Sequence, residues 1–239
     1  MAIPWAERWY QDVPQVLQKT KAYYQDQEKD LWKVTGKQVL QLREWVDIDP
    51  RLLVEQLELL NIVYVPAAME PGPMVVFPEF DLEGIPSRAQ TKPLYKLLGD
   101  SKYVTLGVKQ EEFKGPVWLG NQVSTLEQII KSQQVVVCEG PFDLLALRLA
   151  APEVPSLCSL TKRVSEPHID YLRLLGVNTL HLMYDNETSG YGENSMKEIQ
   201  KEFGHFINIQ QLSCPVGDPS ECLKTKPQTR NLRSILNSL

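Results

Sequence analysis

The stretch VVVCEGPFDLLALRLA (135–150) decides how this chain is read. Its first four residues, three of them β-branched, suit a short strand buried on both faces. Gly140 lets the backbone turn tightly, and proline suits the first position of a helix, which PFDLLALRLA then supplies. Two acids mark the junction. Glu139 follows the strand directly, and Asp143 lies four residues on, on the same side of the turn. A strand that runs into a helix through such a turn is half of a βαβ unit.

Working outward, the pattern repeats. VPSLCSL (154–160), NTLHLMYD (178–185) and FINIQQLS (206–213) read as strands, while STLEQIIKS (124–132), SEPHIDYLRLLG (165–176) and GENSMKEIQKEFG (192–204) read as helices. Ser165 is placed to cap its helix and Gly176 to stop it. This alternation predicts an α/β fold with a doubly wound, mainly parallel sheet. Two further acidic clusters follow strands of the array: Asp185 and Glu187 in LHLMYDNETSG (180–190), and Asp218 and Glu221 in GDPSEC (217–222).

Each cluster alone has an ordinary structural reading. Glu139 and Asp143 suit a solvated turn and a helix start, Asp185 and Glu187 a polar loop, and Asp218 a helix cap. The set carries more weight, because side chains at the carboxyl ends of strands in an open α/β sheet converge on one crevice. Carboxylates crowded there repel unless a hard cation sits among them, and Mg²⁺ prefers such oxygen ligands. The three clusters therefore point to a metal-dependent site acting on phosphates.

Upstream the character changes. Residues 1–60 show helical spacing in WAERWYQDVPQVLQ (5–18), TKAYYQDQEKDLWKV (20–34), TGKQVLQLREWV (35–46) and DPRLLVEQLELL (49–60), the last with Asp49 as N-cap and Pro50 at the first helical position. Four of the five tryptophans lie in this region, where helical spacing favours a core role over base stacking. Residues 61–121 predict a small, mostly antiparallel α+β subdomain. Its strands are IVYVP, MVVFPEFD, KYVTLG and VWLG, with a hairpin turn over FDLEGIPSR. The expected organisation is a helical segment (1–60), the α+β subdomain (61–121), the parallel-sheet domain (122–225) and a C-terminal helix or tail (226–239).

The 239 residues are 43% hydrophobic and 23% charged, as in an ordinary soluble globular protein. No apolar run reaches the ~20 residues that span a bilayer, and the acidic start MAIPWAERWYQD lacks a signal-peptide core. Cytoplasmic localisation without membrane contact is expected. Cys138, Cys158, Cys214 and Cys222 form no CxxC pair and read as buried thiols of a reducing compartment. The scattered histidines offer no zinc site, and His181, alternating within a strand, reads as structural. The net charge of -5 lacks the basic excess of a protein that grips nucleic acid tightly by itself.

Together, VVVCEGPFDLLAL, LHLMYDNETSGYGENSMKEI and GDPSECL resemble the motifs of the Toprim domain in the DnaG-type primase family. That family sets a Glu-Gly-x-x-Asp after one strand, an Asp-x-Asp before a glycine-containing helix start after another, and a late Asp-Pro-x-Asp/Glu. SLTKRVSEPHIDYLRLLG matches its threonine-containing turn before a helix, and MVVFPEFDLEGIPSR and DSKYVTLG resemble the subdomain that precedes the Toprim fold. The resemblance covers about residues 60–225. It departs at Glu187, which stands where the family usually has Asp; the family's small residue before the glycine of this loop is Ser189 here. The chain shows no zinc-ribbon cysteines, Walker A pattern or helicase-like extension, so it resembles a bare catalytic core of the kind expected in a phage, plasmid or other mobile element.

The resemblance implies a DNA primase-like nucleotidyltransferase that makes short oligonucleotide primers on single-stranded DNA from nucleoside triphosphates. It implies two Mg²⁺ (or Mn²⁺) ions among Glu139, Asp185 and Glu187, the catalytic acids, with Asp143 and Asp218 completing the metal set. Lys102, in a Lys-Tyr signature, with Arg88, Lys162 and Arg163, would hold nucleotide and template. Lys92 and Lys96 are further basic candidates. A replicative helicase or other replication protein is a candidate partner. Two alternatives share the fold: a Toprim-type metal-dependent nuclease, and a non-catalytic nucleic-acid-binding or assembly subunit.

Overall fold

The structure, a computed structural model, describes residues 13–69, 73–80, 85–94, 104–107, 118–161, 163–184 and 191–239. Two compact units divide the chain. One draws on the stretches 1–44 and 49–115, the other on 45–48 and 116–239.

The first unit sets three helices, α1 (Val13–Asp26), α2 (Leu31–Arg43) and α3 (Pro50–Leu59), with a sheet of β1 (Val63–Val65), β2 (Met74–Phe80), β3 (Pro86–Pro93) and β4 (Val104–Gly107). The strands lie in sequence order and every pairing is antiparallel. Val13, Val16 and Leu17 of α1 share a core with Val63, Met74 and Leu106 of the sheet. The helices divide differently from their expected spacing. A single helix crosses the gap at Lys19, whereas the stretch 20–34 is broken. Glu28 takes a left-handed φ of 51°, and the Asp30 carboxylate accepts the Trp32 and Lys33 N–H groups, both at 3.1 Å, to cap α2. Three unmet N–H groups at a helix start outweigh a continuous apolar period here.

Strand β3 corrects the expected turn over FDLEGIPSR. Pro86 and Arg88 already belong to the strand, which is an inner member of the sheet; residues 81–84 lie outside the described part. PSRAQTKP has no apolar alternation to announce it. Its register sets Arg88 opposite Glu79, and the Arg88 Nε lies 3.4 Å from a Glu79 carboxylate oxygen. Glu79 is fully buried. Burial pushes its carboxyl up to about 7, and the Arg88 guanidinium only partly opposes that shift.

The second unit holds a sheet of β5 (Gln134–Cys138), β6 (Ser156–Cys158), β7 (Thr179–Leu182) and β8 (Asn208–Gln211) in the order β6-β5-β7-β8, all parallel. Helix α4 (Val123–Ser132) precedes β5, α5 (Pro141–Ala150), α6 (Glu166–Leu174) and α7 (Tyr191–Phe203) link successive strands, and α8 (Pro219–Cys222) and α9 (Lys226–Leu236) follow. This is the expected α/β fold with a doubly wound parallel sheet, preceded by helices and a small α+β sheet. VWLG contributes a single antiparallel bridge, Leu119 to Cys158, rather than a strand. The core gathers Trp118, Ile129, Val135, Val137, Leu180 and Ile199, among others. His181 is buried and faces Gln134 Oε1 at 3.2 Å, a structural place for it.

All ten residues of α5 are buried, including Arg148. Its guanidinium donates to Thr125 Oγ1 at 2.5 Å and to the Ser156 carbonyl at 3.1 Å, which ties α5 to α4 and β6. Burial pulls its pKa down to about 10, so it stays charged at neutral pH. No helix among the described residues is long and apolar enough to cross a membrane.

Glu79 makes the first unit pH-sensitive. Its acid is raised from 4.5 to about 7 on folding, so its stabilising contribution is full below about 4.5 and is lost as pH rises through about 7. In urea unfolding, stability of the wild type should fall relative to Glu79→Gln between pH 4.5 and 8, by at most about 3 kcal/mol. Parallel pH profiles for the two proteins would show that Glu79 is ionised throughout.

Candidate functional site

Strand order fixes where a site can form. From β5 the chain crosses to β6 on one side and then to β7 on the other, so the switch point lies between the carboxyl ends of β5 and β7. The register pairs Val137 with Leu182, and the Met183 N–H donates to the Val137 carbonyl at 2.9 Å. Glu139 is two residues beyond Val137. Asp185 and Glu187 follow Leu182 by three and five residues in the sequence and lie outside the described residues. Tyr184, just before them, is buried, and desolvation raises its phenol so that it stays neutral.

The first and third acidic motifs meet in space. Asp143 is buried at the start of α5. One carboxylate oxygen accepts the Gly140 N–H at 3.1 Å, and the other accepts the Ser220 N–H of GDPSEC at 3.2 Å. This bridge also explains Gly140 in a way the sequence did not suggest. Its φ of -108° and ψ of 155° are ordinary extended values, so no tight turn requires glycine. A Cβ at this position would instead come within 2.6 Å of Asp143 Oδ2, so any side chain here would push that carboxylate aside. Asp218 serves as the cap of α8: its Oδ1 accepts from the Ser220 hydroxyl and the Glu221 N–H, both at 2.8 Å. Behind the turn, the Trp45 indole N–H donates to the Ser220 carbonyl at 2.8 Å, and the ring meets Phe142 edge to face at 6.2 Å.

The loop after β6 borders the same sheet edge. Ser159 Oγ donates to the Thr161 carbonyl at 2.9 Å, and Thr161 Oγ1 donates to the Arg163 carbonyl at 2.7 Å. Leu160 between them has φ 56°, a left-handed conformation that costs a branched side chain about 1–2 kcal/mol. Such strain concentrates at functional sites.

The basic candidates divide. Lys102, Lys162 and Lys96 lie outside the described residues. Arg163 is paired with Glu198 at 3.2 Å and with Glu202, both on α7. Arg88 is buried beside Glu79 in the first unit, and Lys92 is partly buried on the same strand. Sequence reasoning missed three contributors: the Asp143–Ser220 bridge, the Trp45 hydrogen bond and buried Arg148. Only the spacing of Asp143 from Gly140, an N3 acid facing its cap, offered a signal.

For a metal, the described acids supply the right chemistry but not a complete site. Glu139 stands partly buried at the carboxyl end of a central strand, and its carboxylate is a hard oxygen donor suited to Mg²⁺. Asp143 and Asp218 direct oxygens to backbone N–H groups, which fixes their orientation. Among the described residues no three His, Cys, Asp or Glu side chains stand together as a metal-holding group. Glu139 thus has the chemistry of a single hard-oxygen ligand.

No protein-family model matches the chain, and no curated protein matches it by sequence. Solved structures do match. The RNA polymerase domain of Mycobacterium tuberculosis primase DnaG superposes with a TM-score of 0.67 at 17% identity, over 95% of this chain and 84% of that one. The same domain in complex with a double-stranded DNA oligomer with a 6-nucleotide overhang gives 0.64 at 19% identity, over 92% and 77%. The zinc-binding and RNA polymerase domains of the Aquifex aeolicus primase give 0.64 at 18%, over 84% of this chain but only 55% of that one. The present chain thus spans little more than half of the Aquifex chain, and it has the fold of the DnaG primase RNA polymerase domain.

Proposed function

We propose that this chain is a primase-like nucleotidyltransferase that joins nucleotides into short primers along single-stranded DNA with the help of divalent metal. The observation that carries the reading is the coincidence of two facts. The chain has the DnaG polymerase-domain fold over nearly its whole length, and its first acidic motif stands at that fold's switch point. The M. tuberculosis domain was solved with DNA bearing a single-stranded overhang, which supports DNA as the polyanion this chain meets.

In this reading Glu139, Asp185 and Glu187 carry the site. Two Mg²⁺ or Mn²⁺ ions would supply Lewis-acid stabilisation of the phosphates. Glu139, which directly follows β5, would present its carboxylate at that strand end. Asp143 acts through position: its bonds to Gly140 and Ser220 fasten GDPSEC to the first motif, and Asp218 shapes that turn. Lys102 and Lys162 are the cations proposed to orient triphosphate and template. Arg88 and Arg163 would contribute only on leaving the ion pairs they make here. Positioning and electrostatics are the main demands of phosphoryl transfer, and carboxylates and cations held by the scaffold are the groups that would meet them.

The test combines the protein, single-stranded DNA, labelled nucleoside triphosphates and Mg²⁺ or Mn²⁺. Template-dependent oligonucleotides are expected. Shortened DNA would assign the nuclease chemistry instead, and neither product, with no metal-dependent gain in melting temperature, would assign a binding or assembly subunit.

Variants separate chemistry from scaffolding. Glu139→Gln and Asp185→Ala should each lower primer synthesis by about 100-fold or more with unfolding unchanged. Full activity in either variant removes that residue from the site.

Asp143→Ala should differ, losing both activity and about 2–4 kcal/mol of stability, because two buried N–H groups lose their acceptor. Gly140→Ala should show a milder version, about 1–2 kcal/mol, as the new methyl displaces the Asp143 carboxylate. Denaturant midpoints check both values, and an unperturbed Gly140→Ala protein would contradict the bridge.

A further inference from the structure

We propose that Cys214 and Cys222 form a dithiol–disulfide site that clamps the GDPSEC turn. The inference stands on thiol geometry alone and is independent of the catalytic reading. The two sulfurs lie 3.4 Å apart, both side chains are buried, and eight positions separate them in the chain. A disulfide needs a sulfur separation of about 2.05 Å, so the atoms are already in contact and need close by little more than an ångström. The other two cysteines are committed elsewhere. Cys158 Sγ donates to the Glu139 carbonyl at 3.1 Å and Cys138 Sγ to the Leu157 carbonyl at 3.6 Å, on neighbouring strands of the sheet.

The segment between the paired thiols is the third acidic motif. Cys222 ends α8, which Asp218 caps, and Ser220 N–H reaches Asp143. A covalent bond from 214 to 222 would close a small ring around Asp218 and Ser220.

With hydrogen peroxide as oxidant the chemistry balances. One of the two sulfurs, as its thiolate, attacks one peroxide oxygen, the O–O bond breaks, and the departing hydroxide takes up the proton that thiol released, which gives water and a sulfenic acid. The other thiol then attacks that sulfur. The S–S bond forms, the S–O bond breaks, and the second thiol's proton leaves with the hydroxyl as a second water. Two thiols lose two electrons in all, and one peroxide becomes two waters. Thiol reductants reverse the reaction by exchange.

The full chain, treated with hydrogen peroxide, quenched, alkylated and digested, tests this by mass spectrometry. The expected product joins the peptides of Cys214 and Cys222 with loss of two hydrogens, leaves Cys138 and Cys158 alkylated, and reverts with dithiothreitol. The oxidised protein should melt about 3–8 °C higher, as expected for closing a short loop. Cys214→Ser and Cys222→Ser should each give no cross-link. Four alkylated thiols after oxidation of the wild type, or a cross-link through Cys138 or Cys158, would overturn the assignment whether or not the variants fold.

Discussion

Two backbone amides share one buried carboxylate, and the candidate site depends on it. Asp143 holds Gly140 through one oxygen and Ser220 through the other. The first partner is at the end of the central strand, and the second sits in a turn nearly eighty residues later in the chain. A buried carboxylate without such partners would be expensive, and each of these bonds is charge-assisted and stronger than a neutral one. The link draws the third motif to the first. It also explains the glycine beside it on steric grounds. Trp45 braces the far side of Ser220, so the turn is held through both its N–H and its carbonyl.

The acids of the three motifs thus take different roles. Glu139 stands at the switch point as a ligand candidate, Asp143 is a cross-brace and Asp218 a cap. A purely structural cluster would have no reason to place Glu139 at the carboxyl end of the central strand beside the start of the second acidic segment. The division of labour fits a phosphate-handling site whose geometry must hold while charge moves. Strain at Leu160, on the loop after β6, belongs to the same edge.

Much of this was legible in the sequence, and the exceptions have physical causes. The two inner parallel strands announce themselves because a strand buried on both faces is a largely apolar run, as in QVVVC and TLHL. The fold class follows from their alternation with amphipathic helices. Strand β3 escaped notice because PSRAQTKP draws its place from pairing on both edges, and its Arg88 is buried against Glu79 rather than by hydrophobicity. The α1–α2 break escaped because an apolar period carries no information about unmet N–H groups; Asp30 was the readable signal. At the site, the positions of the acids were legible and their roles were not. Whether Asp143 meets a cation or an amide depends on Ser220, which no local pattern connects to it. Arg148 was hidden for a similar reason, since its partners Thr125 and Ser156 come from separate elements.

The central claim is that carboxylates from neighbouring strand ends share divalent metal. A crystal structure grown with Mn²⁺, with an anomalous difference map, tests it most directly. The account predicts a peak about 2.1 Å from oxygens of both Glu139 and Asp185. A well-ordered map in which these two side chains point apart, with Mn²⁺ absent or bound elsewhere, would contradict it.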